Sequence, residues 1–120
     1  MEKLFAFHLS QTEYQEVSQI ASRLKIHLES VAPCDYNQPL EAIYRGSKNP
    51  LVTPYTGNVP EESLLLMCNF TDKRMDKLLF SLRQAHVAVD FKAALTPTNQ
   101  KWTFLQLLPE MHREKNALPF

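Results

Sequence analysis

Glycine and cysteine are scarce in this sequence, with two of each among 120 residues. Gly46 and Gly57 fit neither the Gly-x-Gly-x-x-Gly pattern nor a P-loop, so no glycine-rich cradle for a phosphate group is visible. Cys34 and Cys68 lack the paired spacing of disulfide scaffolds and zinc sites. We therefore expect two free thiols, which favour a reducing compartment and a cytoplasmic location.

An excess of one charge and a long apolar run are also absent. Thirteen Lys and Arg residues balance thirteen Asp and Glu residues, so no overall positive field would attract nucleic acid or an anionic membrane. The longest apolar run, residues 64–68, is far below the ~20 residues of a membrane-spanning helix. The first residues lack the basic leader and the small-residue cleavage site of a secretory signal. We expect no nucleic-acid partner and no membrane partner.

The length and composition are those of an ordinary globular domain. Apolar residues make up 44% of the chain and charged residues 22%. A chain of this size buries roughly two-thirds of the surface that it exposes when unfolded, which is enough for one core. We therefore assign residues 1–120 to a single domain.

The start of the chain predicts a strand, a helix and a second strand. Residues 4–9 are apolar on both alternating faces with one exception, as in a central strand. Ser10 and Glu13 form the Ser-x-x-Glu pattern of a capping box, which predicts a helix over about residues 11–23. Residues 25–29 alternate polar and apolar side chains, which is typical of an edge strand.

Residues 32–62 differ in composition and predict a long irregular connection that contains a short helix. The segment holds both glycines and five of the eight prolines. Pro39 and Gly46 bracket a short helical pattern, with proline near its start and glycine after its end. Three of the four tyrosines also lie here, and such rings are common in recognition surfaces. The segment is either a passive connection or a binding loop.

The most apolar stretch of the chain, residues 63–70, predicts a strand that is buried on both faces. Thr71 follows it and can cap a second helix, with Asp72 favourably placed at the positive end of the helix dipole. One apolar stripe runs from Met75 to Ala85 at helical spacing.

The last part of the chain predicts a fourth strand and a third long helix. Residues 87–95 alternate in the manner of a strand with one apolar face. Thr103 and Gln106 repeat the capping-box pattern, before a helix that we expect to reach about residue 116. Pro109 removes one backbone hydrogen bond from that helix, so the helix either kinks or restarts there.

The order of these elements predicts an α+β fold of the ferredoxin-like βαββαβ type with an extra C-terminal helix. In that arrangement the first and third strands lie in the middle of a four-stranded antiparallel sheet. Two helices would cover one face, and either the C-terminal helix or the partner subunit of a homodimer would cover the other. A doubly wound parallel sheet is the main alternative.

The histidines and cysteines do not predict a catalytic or metal site. The four histidines lie far apart and lack His-x-x-x-His spacing. Cys68 belongs to a buried strand, and Cys34 has no basic neighbour that would lower the pKa of its thiol. We predict no catalytic residue, no metal ligand and no cofactor.

The junction between the fourth strand and the last helix is the best candidate site. Lys92, Thr96, Thr98, Asn99 and Trp102 concentrate charged, hydroxyl, amide and aromatic groups around one proline-containing turn. In the structural interpretation the Thr and Asn side chains bond their own backbone. In the functional interpretation these groups hold a small anion or polar ligand at the N-terminus of the helix.

The same junction resembles a family signature. Residues 92–102 read Lys-Ala-Ala-Leu-Thr-Pro-Thr-Asn-Gln-Lys-Trp, and residues 69–79 read Asn-Phe-Thr-Asp-Lys-Arg-Met-Asp-Lys-Leu-Leu. Both strings are similar to those of an uncharacterised bacterial domain family, known mainly from Firmicutes. The resemblance covers about residues 63–115 and implies a short cytoplasmic bacterial protein. Asn69 replaces the usual glycine, which an asparagine tolerates in a left-handed conformation.

These observations leave three hypotheses about function. The first is a non-enzymatic module that binds a small molecule or a protein, with Lys92, Thr96, Thr98, Asn99 and Trp102 as its ligand-binding residues. The second is a small hydrolase or transferase with a site near the same junction. The third is a structural interaction protein that forms a homodimer.

Overall fold

The computed structural model describes residues 2–117, which form four strands and four α-helices. Their bounds are β1 Lys3–Phe7, α1 Gln11–Leu24, β2 His27–Val31, α2 Leu40–Arg45, β3 Leu64–Cys68, α3 Asp72–Gln84, β4 Phe91–Ala94 and α4 Phe104–Ala117, with a 3-10 turn at Pro33–Asp35. None of the described helices combines the length and apolar character needed to cross a membrane.

The strands form one mixed sheet in the order β2-β1-β3-β4. β1 is parallel to β2 and β3 is parallel to β4, whereas the central pair β1 and β3 is antiparallel. The mixed class and the central positions of the first and third strands are as predicted. The ferredoxin-like antiparallel pairing is wrong, because each helical crossover returns the chain to the neighbouring strand, which makes that pair parallel. The doubly wound parallel alternative is wrong as well, because the central pair is antiparallel.

The strands β2 and β4 begin later than the predicted ranges, 25–29 and 87–95. Lys25 and His86 have φ angles of 59° and 54°, in the left-handed conformation in which helices commonly end. The chain therefore uses these residues and those just after them to turn from the helix towards the sheet. Apolar alternation extended across the turn, which is why the pattern alone placed the strands too early.

Both faces of the sheet are covered within the chain. α1 and α3 pack on one face, where the buried side chains form one apolar cluster. On the other face the ring of Phe104 in α4 stacks on Phe7 of β1, with centroids 4.6 Å apart, and meets Tyr36 edge-on at 4.7 Å. α2, α4 and the connection thus supply the cover for which a homodimer partner was the alternative. The homodimer remains a prediction, but the need to cover this face of the sheet no longer supports it.

The two βαβ units repeat the same local geometry. His8 and Asn69 follow β1 and β3 with φ angles of 60° and 64°. Ser10 and Thr71 then cap α1 and α3, and each hydroxyl accepts a hydrogen bond from the third backbone N–H that follows. The left-handed Asn69 agrees with its expected tolerance of this conformation.

The register of the central strands makes this repeat symmetric. Phe5 lies opposite Leu66 at the middle of the pair. The pairs on either side match across that centre: Lys3 with Cys68, Leu4 with Met67, Ala6 with Leu65, and Phe7 with Leu64. A pseudo-two-fold axis therefore passes between the two central strands.

The similarity between the two units extends to the turns after β2 and β4 but not to the helices that follow these turns. The amide of Gln38 donates to the carbonyl of Asp35 at 3.0 Å, and the amide of Trp102 donates to that of Asn99 at 2.9 Å in the corresponding turn. α2 and α4 begin shortly after these turns. α2 ends at Arg45 after six residues, with Gly46 as its C-cap at a φ angle of 68°, whereas α4 has fourteen residues. Only the second unit has a long helix beside its edge strand.

Candidate functional site

A cavity of about 340 Å³ lies at the outer edge of β4. β4 and the turn after it contribute the residues predicted for the site, Lys92, Thr96, Thr98, Asn99 and Trp102. α4 contributes the opposite side, with Leu107, Glu110, Met111 and Glu114. The tertiary structure therefore brings all five predicted residues to one concave surface.

Asn99 holds the turn together. Its Oδ1 accepts from the backbone N–H of Thr96 at 2.9 Å, and its Nδ2 donates to the carbonyl of Ala94 at 2.9 Å. The hydroxyl of Thr96 accepts from the Asn99 amide at 3.2 Å, and only 8% of Asn99 is exposed. Thr96 and Asn99 therefore shape the wall of the cavity mainly by bonding their own backbone, as the structural interpretation expects.

The turn also supports α2 from the other unit. The amide of Leu40 donates to the carbonyl of Trp102, and the amide of Glu41 donates to the carbonyl of Gln100, both at 2.8 Å. The first N–H groups of a helix have no partner within the helix. The junction is thus a structural joint between the two units as well as a candidate site.

The N-terminus of α4 caps itself. The Thr103 hydroxyl accepts from the Gln106 amide at 3.2 Å, and the Gln106 side-chain oxygen accepts from the Thr103 amide at 2.9 Å. This capping box satisfies N–H groups that an anion would use. The functional interpretation that placed an anion at this helix terminus is therefore not supported.

Three polar residues that line the cavity have side chains without a partner in the described part of the chain. Lys92, Thr98 and Trp102 make no side-chain hydrogen bond or ion pair with any other residue that the structure describes. On α4, Glu110 pairs with Arg113 at 2.9 Å, and Glu114 lies one turn further along. The cavity therefore offers hydrogen-bond donors on the strand and turn side, and carboxylates and apolar surface on the helix side.

The outer edge of β4 opens onto this cavity. The amide of Phe91 donates to the carbonyl of Ser63 at 3.0 Å, and the amide of Leu95 to that of Met67 at 2.9 Å. In a parallel pair, every second residue of a strand forms hydrogen bonds to the neighbouring strand. Lys92 and Ala94 alternate with the residues that bond β3, so their backbone groups point outward. The cavity thus contains part of an unpaired strand edge.

A polar corner that the sequence did not reveal lies at the start of β3 and β4. The Asp90 carboxylate accepts from the amide of Ser63 at 2.9 Å, and the Ser63 hydroxyl accepts from the amide of Asp90 at 3.0 Å. Nearby, Nε2 of His112 lies 2.6 Å from the Glu62 carboxylate, and this contact lowers the pKa of Glu62. The contact joins residues that are remote in sequence, so no local spacing could have predicted it.

Features that would support catalysis are weak in the described part of the chain. Burial raises the pKa of the Cys68 thiol to about 12, so this group is a neutral core side chain at physiological pH. Among residues 2–117, no group of three or more His, Cys, Asp or Glu side chains is placed to hold a metal ion. The geometry therefore describes a small mixed α/β protein with a groove beside an edge strand.

Comparison with known families finds a similarity in the second unit. Residues 63–118 match the family model described as a domain of unknown function, DUF3783. The match begins just before β3 and includes β3, α3, β4 and every residue predicted for the site. It supports the predicted resemblance to an uncharacterised domain family. No curated protein matches the chain.

Proposed function

We propose that this protein is a non-enzymatic binding module whose ligand occupies the groove between β4 and α4. The observation that carries the proposal is the position of Thr98 and Trp102, without side-chain partners among the described residues, on the same concave surface as the strand edge at Lys92. Concave sites with a few convergent polar groups on an apolar lining are the usual form of ligand sites. A cytoplasmic location, which two free cysteines favour, is part of the proposal.

The lining limits the chemistry of the ligand. Thr98 and Trp102 offer a hydroxyl and an indole N–H, and Glu110 and Glu114 offer acceptors with negative charge. Leu107 and Met111 supply apolar contact on the helix side. A ligand that fits carries hydrogen-bond acceptors, hydrogen-bond donors and an apolar part that contacts α4.

Enzymatic function has less support than binding. A nucleophile or general base needs an orienting partner within hydrogen-bond reach. The Lys92 side chain has no such partner among the described residues, and Asn99 is occupied by its own backbone bonds. The hydrolase or transferase hypothesis therefore lacks an observation that favours it.

A thermal-shift screen with matched variants tests the proposal. We would screen metabolites and short peptides against the wild-type protein, Thr98→Val and Trp102→Phe. A ligand at 100 times its Kd adds ~2.7 kcal/mol to the stability of the folded state. Cys34→Val is the control, because Cys34 follows Pro33 in the first unit as Thr98 follows Pro97 in the second.

The proposal expects ligands that stabilise the wild type and the Cys34→Val control equally but stabilise the two groove variants less. Ligands that stabilise all four proteins to the same extent would show that the groove is not the site. A screen without any stabilising compound or peptide would also contradict the proposal.

A further inference from the structure

The free edge of β4 has a definite set of backbone groups. Because Phe91 and Leu95 bond β3, the N–H and C=O groups of Lys92 and the N–H of Ala94 face outward. The outward carbonyl of Ala94 is already bonded by Asn99 Nδ2 at 2.9 Å. The exposed edge thus presents two donors and one acceptor in a row, and they lie inside the groove.

We infer that the ligand of this groove is an extended peptide that adds to the edge of β4 as a fifth strand. The inference rests on the proposed function and names the ligand class for that site. In strand addition, main-chain hydrogen bonds hold the peptide, and pockets for alternate side chains give specificity. The groove supplies both, because the strand edge forms one side and α4 forms the other.

The charges on the two sides define the peptide. Glu110 is paired with Arg113, and Glu114 lies one helical turn further along α4, so peptide side chains that face α4 are basic next to Glu114 and apolar next to Met111. Lys92 pairs in register with Leu65, whose side chain belongs to the cluster on the opposite face of the sheet. A peptide side chain on that face lies beside the Lys92 ammonium and is acidic or polar.

The outer edge of β2, at the other side of the sheet, serves as a comparison for the edge of β4. In the first unit, β2 also has an outer edge, but α2 has six residues where α4 of the second unit has fourteen. His27 and Glu29 on that strand are exposed and contact each other at 2.9 Å. Lysine on an edge strand also protects against unwanted pairing. Lys92 can protect the edge of β4 in the same way, but this protective role does not explain the cavity beside the strand.

The test uses a library of capped heptapeptides with random sequence, selected on the full chain. Selected peptides are then measured by fluorescence polarisation against the wild type, Ala94→Pro and Ser30→Pro. Proline at an outward-facing edge position removes a free N–H without breaking the ladder. Ser30 is the control, because it lies next to last in β2, where its N–H points away from β1.

The expected result is a set of peptides with a basic and an apolar residue two positions apart. Ala94→Pro should bind these peptides at least tenfold more weakly than the wild type, and Ser30→Pro should bind them as tightly as the wild type. N-methylation of the peptide at alternate positions should abolish binding, and N-methylation at the intervening positions should not. This second measurement uses the wild-type protein, so it stands even if Ala94→Pro fails to fold.

The inference would be overturned if the selected peptides bound Ala94→Pro as tightly as the wild type and kept their affinity after N-methylation at any position. A library that yields no binding peptide would overturn it as well. In either case, small molecules whose binding depends on Thr98 or Trp102 would leave the proposed function standing. Loss of both kinds of binding would remove the groove as a site.

Discussion

The side-chain amide of Asn99 donates to the carbonyl of Ala94 at 2.9 Å, and this bond closes the end of the edge strand against the turn that follows. The same side chain accepts from the amide of Thr96. A residue expected to contact a ligand is therefore first a structural element of the site. Thr98 and Trp102 are better probes of ligand binding than Asn99, because their side chains make no such bonds within the described chain.

Asn99→Ala should lower the free energy of unfolding by about 2 kcal/mol, because it leaves two backbone groups without a partner. Chemical denaturation followed by circular dichroism measures the change. Thr98→Ala, at the adjacent exposed position, should change stability by less than about 0.5 kcal/mol. Equal effects of the two substitutions would show that the Asn99 bonds do not hold the turn.

Tyr36→Phe should raise the free energy of unfolding by about 1 kcal/mol, because an unsatisfied buried hydroxyl carries a desolvation penalty. Tyr36 is 0% exposed, and its hydroxyl has no hydrogen-bond partner among the described residues. Burial also raises the pKa of this hydroxyl. Tyr55→Phe is the matched control and should be destabilising, because the Tyr55 hydroxyl donates to the carbonyl of Asn58. A clear loss of stability in Tyr36→Phe would reveal a partner for that hydroxyl.

Pro109→Ala should stabilise the protein by about 1 kcal/mol. Pro109 lies inside α4, where it cannot donate to the carbonyl of Leu105, and its side chain is exposed. The gain is smaller than the helix propensity difference of about 3 kcal/mol, because proline also restricts the unfolded chain. Thermal unfolding compares the variant with Lys77→Ala, an exposed substitution in α3. A destabilised Pro109→Ala would mean that the interruption is needed for α4 to pack on the sheet.

Thiol titration of the native protein should modify Cys34 and spare Cys68. Cys34 is exposed, whereas Cys68 is buried with its pKa raised to about 12, and only the thiolate reacts. Cys34→Ser should therefore show almost no reaction until guanidinium unfolds it. Rapid reaction of this variant in the native state would show that β3 opens readily to solvent.

The contact between Glu62 and His112 should make a small pH-dependent contribution to stability. Because the hydrogen bond to His112 lowers the pKa of Glu62 below the reference value of 4.5, the contribution is present above that pH and is lost as the pH falls through the folded pKa. Both side chains are partly exposed, so the effect should stay below about 1 kcal/mol.

Glu62→Gln tests this contact through stability curves measured between about pH 3 and pH 7. The difference from wild type should shrink as the pH falls. Glu61→Gln, at the neighbouring exposed position, should follow the wild-type curve. A difference between wild type and Glu62→Gln that grows on acidification would contradict the assignment.

The sequence by itself determined the local features. Ser10 with Glu13, and Thr103 with Gln106, form the capping boxes that their spacing predicts, because a cap is made within one turn of chain. The apolar run around Leu66 forms a buried central strand, since a strand covered on both sheet faces hides the apolar side chains on each of them. The residues of the junction were also visible in the sequence as a group.

Only the tertiary structure decided how these elements combine. Strand partners, the pseudo-two-fold axis and the wall that α4 forms beside β4 depend on contacts between residues remote in sequence, which leave no local periodicity. The repeat did have a weak signal, because Leu9-Ser10 and Phe70-Thr71 each place an apolar residue before a cap. The sequence could name Asn99 and Thr98 together, but only their packing separates the residue that builds the groove from the one that faces it.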